Sequence, residues 1–267
     1  MEKNNTIKKM WSGEGYHNHS QLQYQWATDF LSEYQFRGDE QVLDIGCGDG
    51  KISYLIASQV PQGNVLGADL SESMITFAKN AYINQKNLQF EQQNAKTLPY
   101  VDRFDLVFSC ACLQWVKDQK AVVQGIAKGL KKGGLFKALI PNPDRFNKAI
   151  RSTIEQRELK PFFIGYEDPC YSFEPNQYRG YLEEMGLKPL TVELRELTLP
   201  YHSKKDLFDW LVQVLPLHWL SKEHHELFVN GVIDALLSQN PQLLQKSGAI
   251  HLPMGMLVVH AQKNLSL

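Results

Sequence analysis

The chain has 267 residues, a formal net charge of −1 and a sequence pI near 6.7. Hydrophobic residues make up 43% of it, enough for a sizeable core, and the length fits one α/β domain with insertions or with a cap. No long basic stretch appears, which excludes the large electrostatic footprint of a nucleic-acid-binding protein. No apolar run reaches the ~18 residues of a membrane span.

The cysteines and the first residues of the chain indicate the cellular compartment. The four cysteines, Cys47, Cys110, Cys112 and Cys170, show no zinc-type spacing. The start of the chain leads into no apolar signal-peptide core. We therefore expect reduced thiols, a cytoplasmic protein, no nucleic-acid or membrane partner, and a monomer or weak dimer.

The first predicted helix follows a capping box, S-x-x-Q, at Ser20–Gln23. Just before it stand Tyr16, His17, Asn18 and His19, a cluster of polar aromatic residues that is unusual in a linker. Surface polar residues ahead of a helix would explain the cluster. A metal site from the two histidines lacks an evident third ligand.

The next segment predicts a strand, a glycine turn and a helix. The strand is the apolar run at 41–45. Gly46, Gly48 and Gly50 follow it at alternate positions, and a helical pattern begins near Lys51. This is the first unit of a doubly wound α/β fold. A dinucleotide site needs glycine where Lys51 stands, so the pattern here is D-x-G-x-G-x-G.

Strand two ends at Asp69, about 20 residues past the glycine loop, a position suited to binding a ribose diol. No G-K-[ST] element follows the loop. The sequence therefore predicts a nucleoside ligand without a phosphate chain. Ser71 is the predicted N-cap of the next helix, which carries Met74 on its apolar face.

Strands three and four are predicted at 88–92 and 104–109. Ligands of a doubly wound sheet bind beyond the carboxyl ends of the strands, so the segment after strand four faces the ligand. Within that segment Trp115 is either a core anchor or a substrate contact. Gln114 is harder to explain by structure alone.

Further elements follow the same alternation. A helix with Val122 and Ile126 on its apolar stripe is predicted to end at a Gly133-Gly134 cap, before strand five at 135–140, which Pro141 stops. The remaining predicted elements are an aromatic-rich stretch at 142–173, a helix at 177–185, a strand at 187–199, a helix from Ser203 to Pro216, a helix at 222–237 and a strand at 253–261.

The glycine loop, Asp69 and the segments after them resemble class I S-adenosylmethionine-dependent methyltransferases over about residues 16–263. Leu113-Gln114-Trp115 is similar to the trans-aconitate and juvenile hormone acid methyltransferase group, and malonyl-carrier-protein methyltransferases have a similar element. The resemblance implies a Rossmann-like, seven-stranded doubly wound sheet whose last strand is antiparallel. It also implies a helical cap from insertions after strand five and before the last strand.

The domain expectation has three parts. Residues 1–36 form a lid and a helix, 37–141 and 174–267 form the core, and 142–173 and 200–247 form the cap. In the related enzymes the segment before the first helix folds over the ligand, which favours the lid for Tyr16, His17 and His19.

The resemblance assigns the cofactor S-adenosylmethionine to residues near the strand ends. Asn94 stands where the family usually has an acid that meets the adenine amino group, so a turn asparagine is an equal alternative. Leu70 and Met74 flank the adenine, pack at the core edge, or do both. The full cofactor set is Asp44, Gly46, Cys47, Gly48, Gly50, Asp69, Leu70, Met74, Asn94, Ala95 and Cys110, and the substrate-orienting set is Tyr16, His17, His19, Gln114 and Trp115.

The implied reaction is methyl transfer to a small molecule, with O-methylation of a carboxylic acid as the expected chemistry. A carboxylate is already ionised at neutral pH and needs no general base, so no acid or base is assigned. The alternatives are another acceptor, such as a carrier-protein-bound acid or an amine, and a non-catalytic S-adenosylmethionine-binding protein.

Overall fold

The structure is a computed structural model that describes residues 21–265. Its strands are β1 (Gln41–Ile45), β2 (Asn64–Asp69), β3 (Leu88–Gln92), β4 (Phe104–Cys110), β5 (Leu130–Asn142), β6 (Leu187–Tyr201) and β7 (Ile250–Lys263). Its helices are α1 (Gln21–Ser32), α2 (Lys51–Gln59), α3 (Glu72–Ala81), α4 (Gln119–Gly129), α5 (Asp144–Ile154), α6 (Pro175–Glu184), α7 (Lys204–Val214) and α8 (His225–Gln239).

The strands form one seven-stranded sheet in the order β3-β2-β1-β4-β5-β7-β6. The first five strands along the chain pair in parallel, and β7 runs antiparallel. Helices flank the sheet, so the predicted doubly wound α/β fold is confirmed. Chain order reverses between β1 and β4, and the crevice at such a switch point is where ligands of open α/β sheets bind.

The chain divides into two compact units. The first holds most of the sheet and, within the described range, covers residues 21–140, Phe173–Leu194 and 257–265. Its core is built on strand residues without solvent exposure, such as Val42, Leu106 and Phe136. None of the helices in residues 21–265 has the length and apolar character needed to cross a membrane.

The second unit consists of Pro141–Ser172 and Arg195–Met256. Helix α8 packs against α5 and α7 within it. An aromatic cluster around Phe163 fills part of its interior, with ring centroids 5.1 Å from Phe228 and 6.0 Å from Trp219. The interpretation of the 142–173 and 200–247 segments as a cap stays a prediction.

The predicted Ser71 cap and the predicted helix start at Ser203 are confirmed. Ser71 Oγ accepts a hydrogen bond from Met74 N at 3.4 Å, and Ser203 Oγ accepts one from Asp206 N at 3.1 Å. The other predicted cap, at Ser20, lies outside the described residues. Each cap satisfies one of the backbone N–H groups that a helix start leaves without a partner.

The predicted boundary between α4 and β5 is wrong. The helix ends at Gly129, and β5 begins at Leu130, where the register against β4 shifts between Phe104 and Leu106. Gly133, with φ of +76°, lies inside this irregular strand and does not cap the helix. Strand β5 also continues through Pro141, which a strand tolerates near its end because a missing N–H there breaks no central pairing.

Helix α5 was not predicted. Its buried face, Phe146, Ala149, Ile150 and Thr153, follows helical spacing, and Asp144 lies in its first turn. The aromatic residues that follow in the sequence concealed this periodicity. The other strands and helices lie near their predicted positions, although the helix predicted at 222–237 is a short 3-10 turn followed by α8, and β7 is longer than predicted.

Candidate functional site

The glycine loop follows β1 directly and is shaped by left-handed backbone conformations. Gly46, Gly48 and Gly50 have φ values of +75°, +54° and +83°. A Cβ at Gly46 would overlap Cys112 Sγ in the loop after β4, and one at Gly50 would lie 2.6 Å from Phe90 Cζ. Backbone conformation therefore favours glycine at all three positions, and close packing against protein atoms also requires it at Gly46 and Gly50.

Asp69 links this loop to the end of β2. Its Oδ2 accepts a hydrogen bond from Gly48 N at 3.1 Å, and its Oδ1 accepts one from Ser71 N at 2.8 Å. The side chain is half-buried, and burial raises its pKa against the opposing effect of these backbone N–H groups. Each carboxylate oxygen keeps a second lone pair, so ribose hydroxyls can donate to the same group.

Asp44 lies beneath the loop. It is buried, and its Oδ2 accepts a hydrogen bond from Ser53 Oγ on α2 at 2.6 Å. Burial raises the pKa of Asp44 to about 7, the Ser53 hydroxyl opposes the rise, and the charges of Asp69 and Asp49 add to it. Asp69 and Asp49 thus add negative charge to a region that also holds Asp44. Lys51 Nζ lies 3.7 Å from Asp49 Oδ2, and the remaining negative charge favours a cationic ligand.

The three cysteines of the region carry neutral thiols. Cys47 and Cys110 are buried, Cys112 is half-buried, and burial raises the pKa of each thiol well above its ordinary value. Because a thiolate is the reactive form, these cysteines are neither nucleophiles nor bases at neutral pH. Cys110 ends β4, and its Sγ lies 4.0 Å from the carbonyl oxygen of Gln23.

The segment after β4 contains an unusual backbone residue and an unpaired acceptor. Ala111 has φ of +54°, in the left-handed region that residues with a Cβ seldom adopt. Gln114 Nε2 donates a hydrogen bond to Ala111 O at 2.9 Å. Gln114 Oε1 is buried and has no hydrogen-bond partner within the described part of the chain. Backbone strain and an unpaired buried acceptor together make this segment a candidate for a functional role.

Gln119 stabilises the short Leu113–Trp115 turn through side-chain hydrogen bonds. Its Nε2 donates to Leu113 O at 2.9 Å and to Val116 O at 2.6 Å, while its Oε1 accepts from Tyr178 OH at 3.0 Å. Gln119 and Tyr178 are both buried. Trp115 is half-buried, which leaves both of its predicted roles, core anchor and substrate contact, as predictions.

The predicted adenine residues lie at the ends of β2 and β3. Asn94 Oδ1 accepts a hydrogen bond from Lys96 N at 3.0 Å, which caps the short turn that Ala95 begins. Asn94 therefore acts as a turn residue. The second lone pair of its Oδ1 can still accept a hydrogen bond from an adenine amino group. Met74 is buried and Leu70 is half-buried, as expected of residues at a core edge.

The predicted cofactor residues lie at or just beyond the ends of β1 to β4. The loops after β1, β2 and β4 are in contact through Gly46, Gly48, Asp69 and Cys112. Tyr16, His17 and His19 lie outside the described residues. Three residues of the candidate site, Ser53, Cys112 and Gln119, were not predicted from the sequence. The spacing of Ser53 along the helix after the loop was the one sequence signal that could have identified a residue of this set. The roles of Cys112 and Gln119 depend on tertiary contacts.

The arrangement fits S-adenosylmethionine. The acidic loop region suits the positive sulfonium and ammonium groups, and Asp69 suits the ribose. Within residues 21–265 no group of three or more His, Cys, Asp and Glu side chains is arranged to hold a metal ion.

Comparison with known proteins gives the same result. A family model described as "Methyltransferase domain" matches residues 37–186. Trans-aconitate 2-methyltransferase of Deinococcus radiodurans is 33% identical over 79% of this chain and 83% of that protein. Juvenile hormone acid O-methyltransferase of Drosophila melanogaster is 27% identical over 80% of this chain and 77% of that protein.

A solved structure shares the fold. Geranyl diphosphate C-methyltransferase of Streptomyces coelicolor A3(2), crystallised with Mg²⁺, geranyl diphosphate and S-adenosylhomocysteine, superposes with a TM-score of 0.54 at 15% identity, covering 92% of this chain and 81% of that one. With the family match over more than half of the sequence and the glycine loop, Asp69 and the sheet order in agreement, the chain belongs to the methyltransferase-domain family and is an S-adenosylmethionine-dependent methyltransferase.

Proposed function

We propose that this methyltransferase acts on a small-molecule carboxylic acid and forms its methyl ester. In the reaction a carboxylate oxygen forms a bond to the methyl carbon, the bond between that carbon and sulfur breaks, and the electron pair stays on sulfur. The cofactor supplies an activated methyl group and leaves as S-adenosylhomocysteine. No proton is moved, because the acceptor enters as a carboxylate.

The observation that carries the proposal is the likeness to two enzymes named for acid substrates. Both matches extend over about four fifths of this chain, well beyond the cofactor-binding segment. One of those proteins is named for trans-aconitate and the other for juvenile hormone acid. A carboxylate acceptor is the chemistry that their names share.

The chemistry of the loops supports an acceptor that needs no deprotonation. The thiols of Cys47, Cys110 and Cys112 are protonated at neutral pH. Asp44 titrates near neutrality, but it is buried and hydrogen-bonded to Ser53, so it shapes the loop rather than accepting a substrate proton. Residues of the loops therefore bind, orient and exclude water.

Gln114 is the residue that we assign to the acceptor. One N–H of its side-chain amide binds Ala111 O, and the second is available to a carboxylate oxygen. Fixing the amide on a strained backbone carbonyl limits its rotation, which favours precise placement of the acceptor. Tyr16, His17, His19 and Trp115 keep their proposed roles on the substrate side.

A product-resolved screen tests the proposal. The full chain is incubated with methyl-deuterated S-adenosylmethionine and with sets of one acid, its amide, its alcohol and its amine on the same carbon skeleton, trans-aconitate included. We expect a deuterated product from the acid alone, and alkaline hydrolysis should release the label because esters are base-labile. Label on an amine or an alcohol, stable to alkali, would contradict the carboxylate assignment while leaving methyl transfer in place.

Matched glutamine variants connect the screen to the site. Gln114→Leu should raise KM for the acid about 10- to 150-fold, the range expected for one charge-assisted hydrogen bond. Gln62→Leu changes an exposed glutamine and serves as the control. Equal kinetics in the two variants would remove Gln114 from the acceptor site.

A further inference from the structure

Buried polar atoms without partners are concentrated in the second compact unit. Of the six such side-chain atoms found in the described residues, four belong to this unit: Tyr166 OH, Asp168 Oδ1, Tyr201 OH and Trp210 Nε1. Native proteins seldom leave buried donors or acceptors unpaired, because each one costs about 1–3 kcal/mol. A concentration of this kind requires an explanation within the unit itself.

Tyr201 and Trp210 form a pair. Their ring centroids are 5.8 Å apart, and the Trp210 ring lies 5.5 Å from Phe146 of α5. Tyr201 ends β6 and is 9% exposed, while Trp210 lies on α7 with a buried Nε1 atom. The three rings, here called the Tyr201–Trp210 cluster, thus combine a large apolar surface with two unpaired hydrogen-bond donors.

The chemistry of these donors determines what they can bind. An indole N–H is a donor only, and the buried Tyr201 hydroxyl stays protonated because burial raises its pKa well above the ordinary value. Both groups therefore require an acceptor. Aromatic side chains that carry a polar atom are common where a ligand is apolar over most of its surface and polar at one point.

The surrounding charges favour an uncharged acceptor. The charged side chains of α7 have other partners. Lys205 Nζ pairs with Asp209 at 2.5 Å, and Lys204 Nζ pairs with Asp234 at 3.6 Å. Asp206 accepts hydrogen bonds from His202 N at 3.1 Å and from Ser203 Oγ at 3.0 Å. Burial is the cause of the Tyr201 pKa shift, and no charged side chain of the described residues contributes to it. A carboxylate placed there would lose its hydration without a counter-ion, which costs several kcal/mol.

We propose that the Tyr201–Trp210 cluster is a binding site for an apolar ligand that carries one uncharged oxygen acceptor, such as a ketone, ester or ether oxygen. Tyr201 OH and Trp210 Nε1 donate to that oxygen, and the rings of Phe146, Tyr201 and Trp210 contact the apolar body. The site is independent of which acceptor the methyltransferase uses.

Three probes of nearly equal shape separate the contributions. Acetophenone carries a neutral carbonyl, benzoate a charged group, and ethylbenzene no strong acceptor. Each is titrated into the full chain labelled with nitrogen-15, and the indole N–H resonances are followed by NMR. Trp210→Phe identifies the Trp210 signal by its disappearance.

We expect acetophenone to shift the Trp210 indole signal downfield with saturation, as a hydrogen bond to that N–H forms. Ethylbenzene should bind more weakly and cause no downfield shift, and benzoate should bind more weakly than acetophenone. Tighter binding of benzoate, or equal shifts from acetophenone and ethylbenzene, would overturn the proposal.

A matched pair of tyrosine variants tests the second donor. Tyr201→Phe should weaken acetophenone binding about 3- to 10-fold, as expected for one neutral hydrogen bond. Tyr166→Phe removes another buried hydroxyl of the same unit and should leave the affinity unchanged. Unchanged affinity in a folded Tyr201→Phe protein would remove Tyr201 from the site, and the wild-type titration decides the proposal even if that variant fails to fold.

Discussion

Asp69 has two tasks, since it holds the glycine loop through Gly48 N and is the proposed ribose ligand. Asp69→Ala should weaken cofactor binding by roughly 1–3 kcal/mol, or about 5- to 150-fold. Disorder of the glycine loop alone would also weaken cofactor binding. The affinities of S-adenosylhomocysteine and of its 2′-deoxy analogue are therefore both measured by calorimetry.

We expect the wild-type protein to prefer the natural ribose and the Asp69→Ala variant to bind both compounds equally. A variant that retains the full preference for the 2′-hydroxyl would show that Asp69 does not contact the ribose. Asp39→Ala, which removes an exposed acid, controls for the loss of one negative charge.

Asp44 makes stability depend on pH. Its folded-state pKa of about 7 lies above the ordinary value of 3.8, so the folded protein binds more protons than the unfolded chain between these values. Stability therefore falls as pH rises through the window from about 4 to about 7. Ionised Asp44 costs stability, and its protonated form does not.

Asp44→Asn should remove this dependence. Relative to the variant, the wild-type protein should lose about 2 kcal/mol of unfolding free energy between pH 5 and pH 7.5 without ligand. Urea unfolding across that range measures it, with the exposed Asp39→Asn as the control. Parallel curves for wild type and Asp44→Asn would show that the buried carboxyl keeps an ordinary pKa.

At the scale of elements, the contact between the loops after β1 and β4 depends on a missing side chain. Gly46→Ala should destabilise the fold and abolish cofactor binding, because the Cβ combines an unfavourable φ with overlap on Cys112 Sγ. Gly186→Ala has a similar φ of +77° but open space around its Cβ, so it isolates the backbone cost of roughly 1 kcal/mol.

The difference between the two glycine variants in urea unfolding therefore measures the steric term. Cys112→Gly, added to Gly46→Ala, should recover part of that difference, because it removes both overlapping atoms, Cys112 Sγ and Cys112 Cβ. Equal stability of the Gly46 and Gly186 variants would mean that the two loops do not meet as described.

Helix α6 supports the turn after β4 through Tyr178 and Gln119. Tyr178→Phe leaves Gln119 Oε1 buried without a donor, which should cost about 1–3 kcal/mol. The loosened Leu113–Trp115 turn should also lower kcat for the acid. Tyr54→Phe, at a 44% exposed tyrosine, is the control, and unchanged stability after Tyr178→Phe would contradict the supporting role.

Local signals predicted most elements of the sheet because strand length, glycine turns and serine caps are encoded within a few residues of one another. The boundary at Leu130 was wrong, since Gly133 reads as a helix cap in sequence, whereas its left-handed conformation belongs to a strand irregularity. Helix α5 was not predicted for a similar reason, because the neighbouring aromatic residues obscured the helical spacing of its buried side chains.

The site was predictable to the extent that its residues follow strand ends, as Asp69 and the loop glycines do. Gln119 and Cys112 were not, because their contacts join segments far apart in the sequence. Gln114 stood out in the sequence, but its bond to the strained Ala111 carbonyl required coordinates.

At the scale of the whole molecule, the chain combines a methyltransferase sheet with a second unit that carries its own proposed ligand site. The family and the cofactor follow from the sheet and its loops, whereas the acceptor is a proposal that rests on Gln114 and on the two relatives named for acids. The central claim to test is therefore that the methyl acceptor is a carboxylic acid.

The most direct measurement follows one labelled methyl group in a single sample. The full chain is mixed with carbon-13-methyl S-adenosylmethionine and trans-aconitate, and carbon-13 NMR is recorded over time. We predict that the sulfonium methyl signal decays while an ester methyl signal grows in equal amount, one S-adenosylhomocysteine forming per ester. If trans-aconitate and the other acids of the screen leave the sulfonium signal intact, or if the label appears on nitrogen or carbon, the proposed carboxylate methylation is wrong.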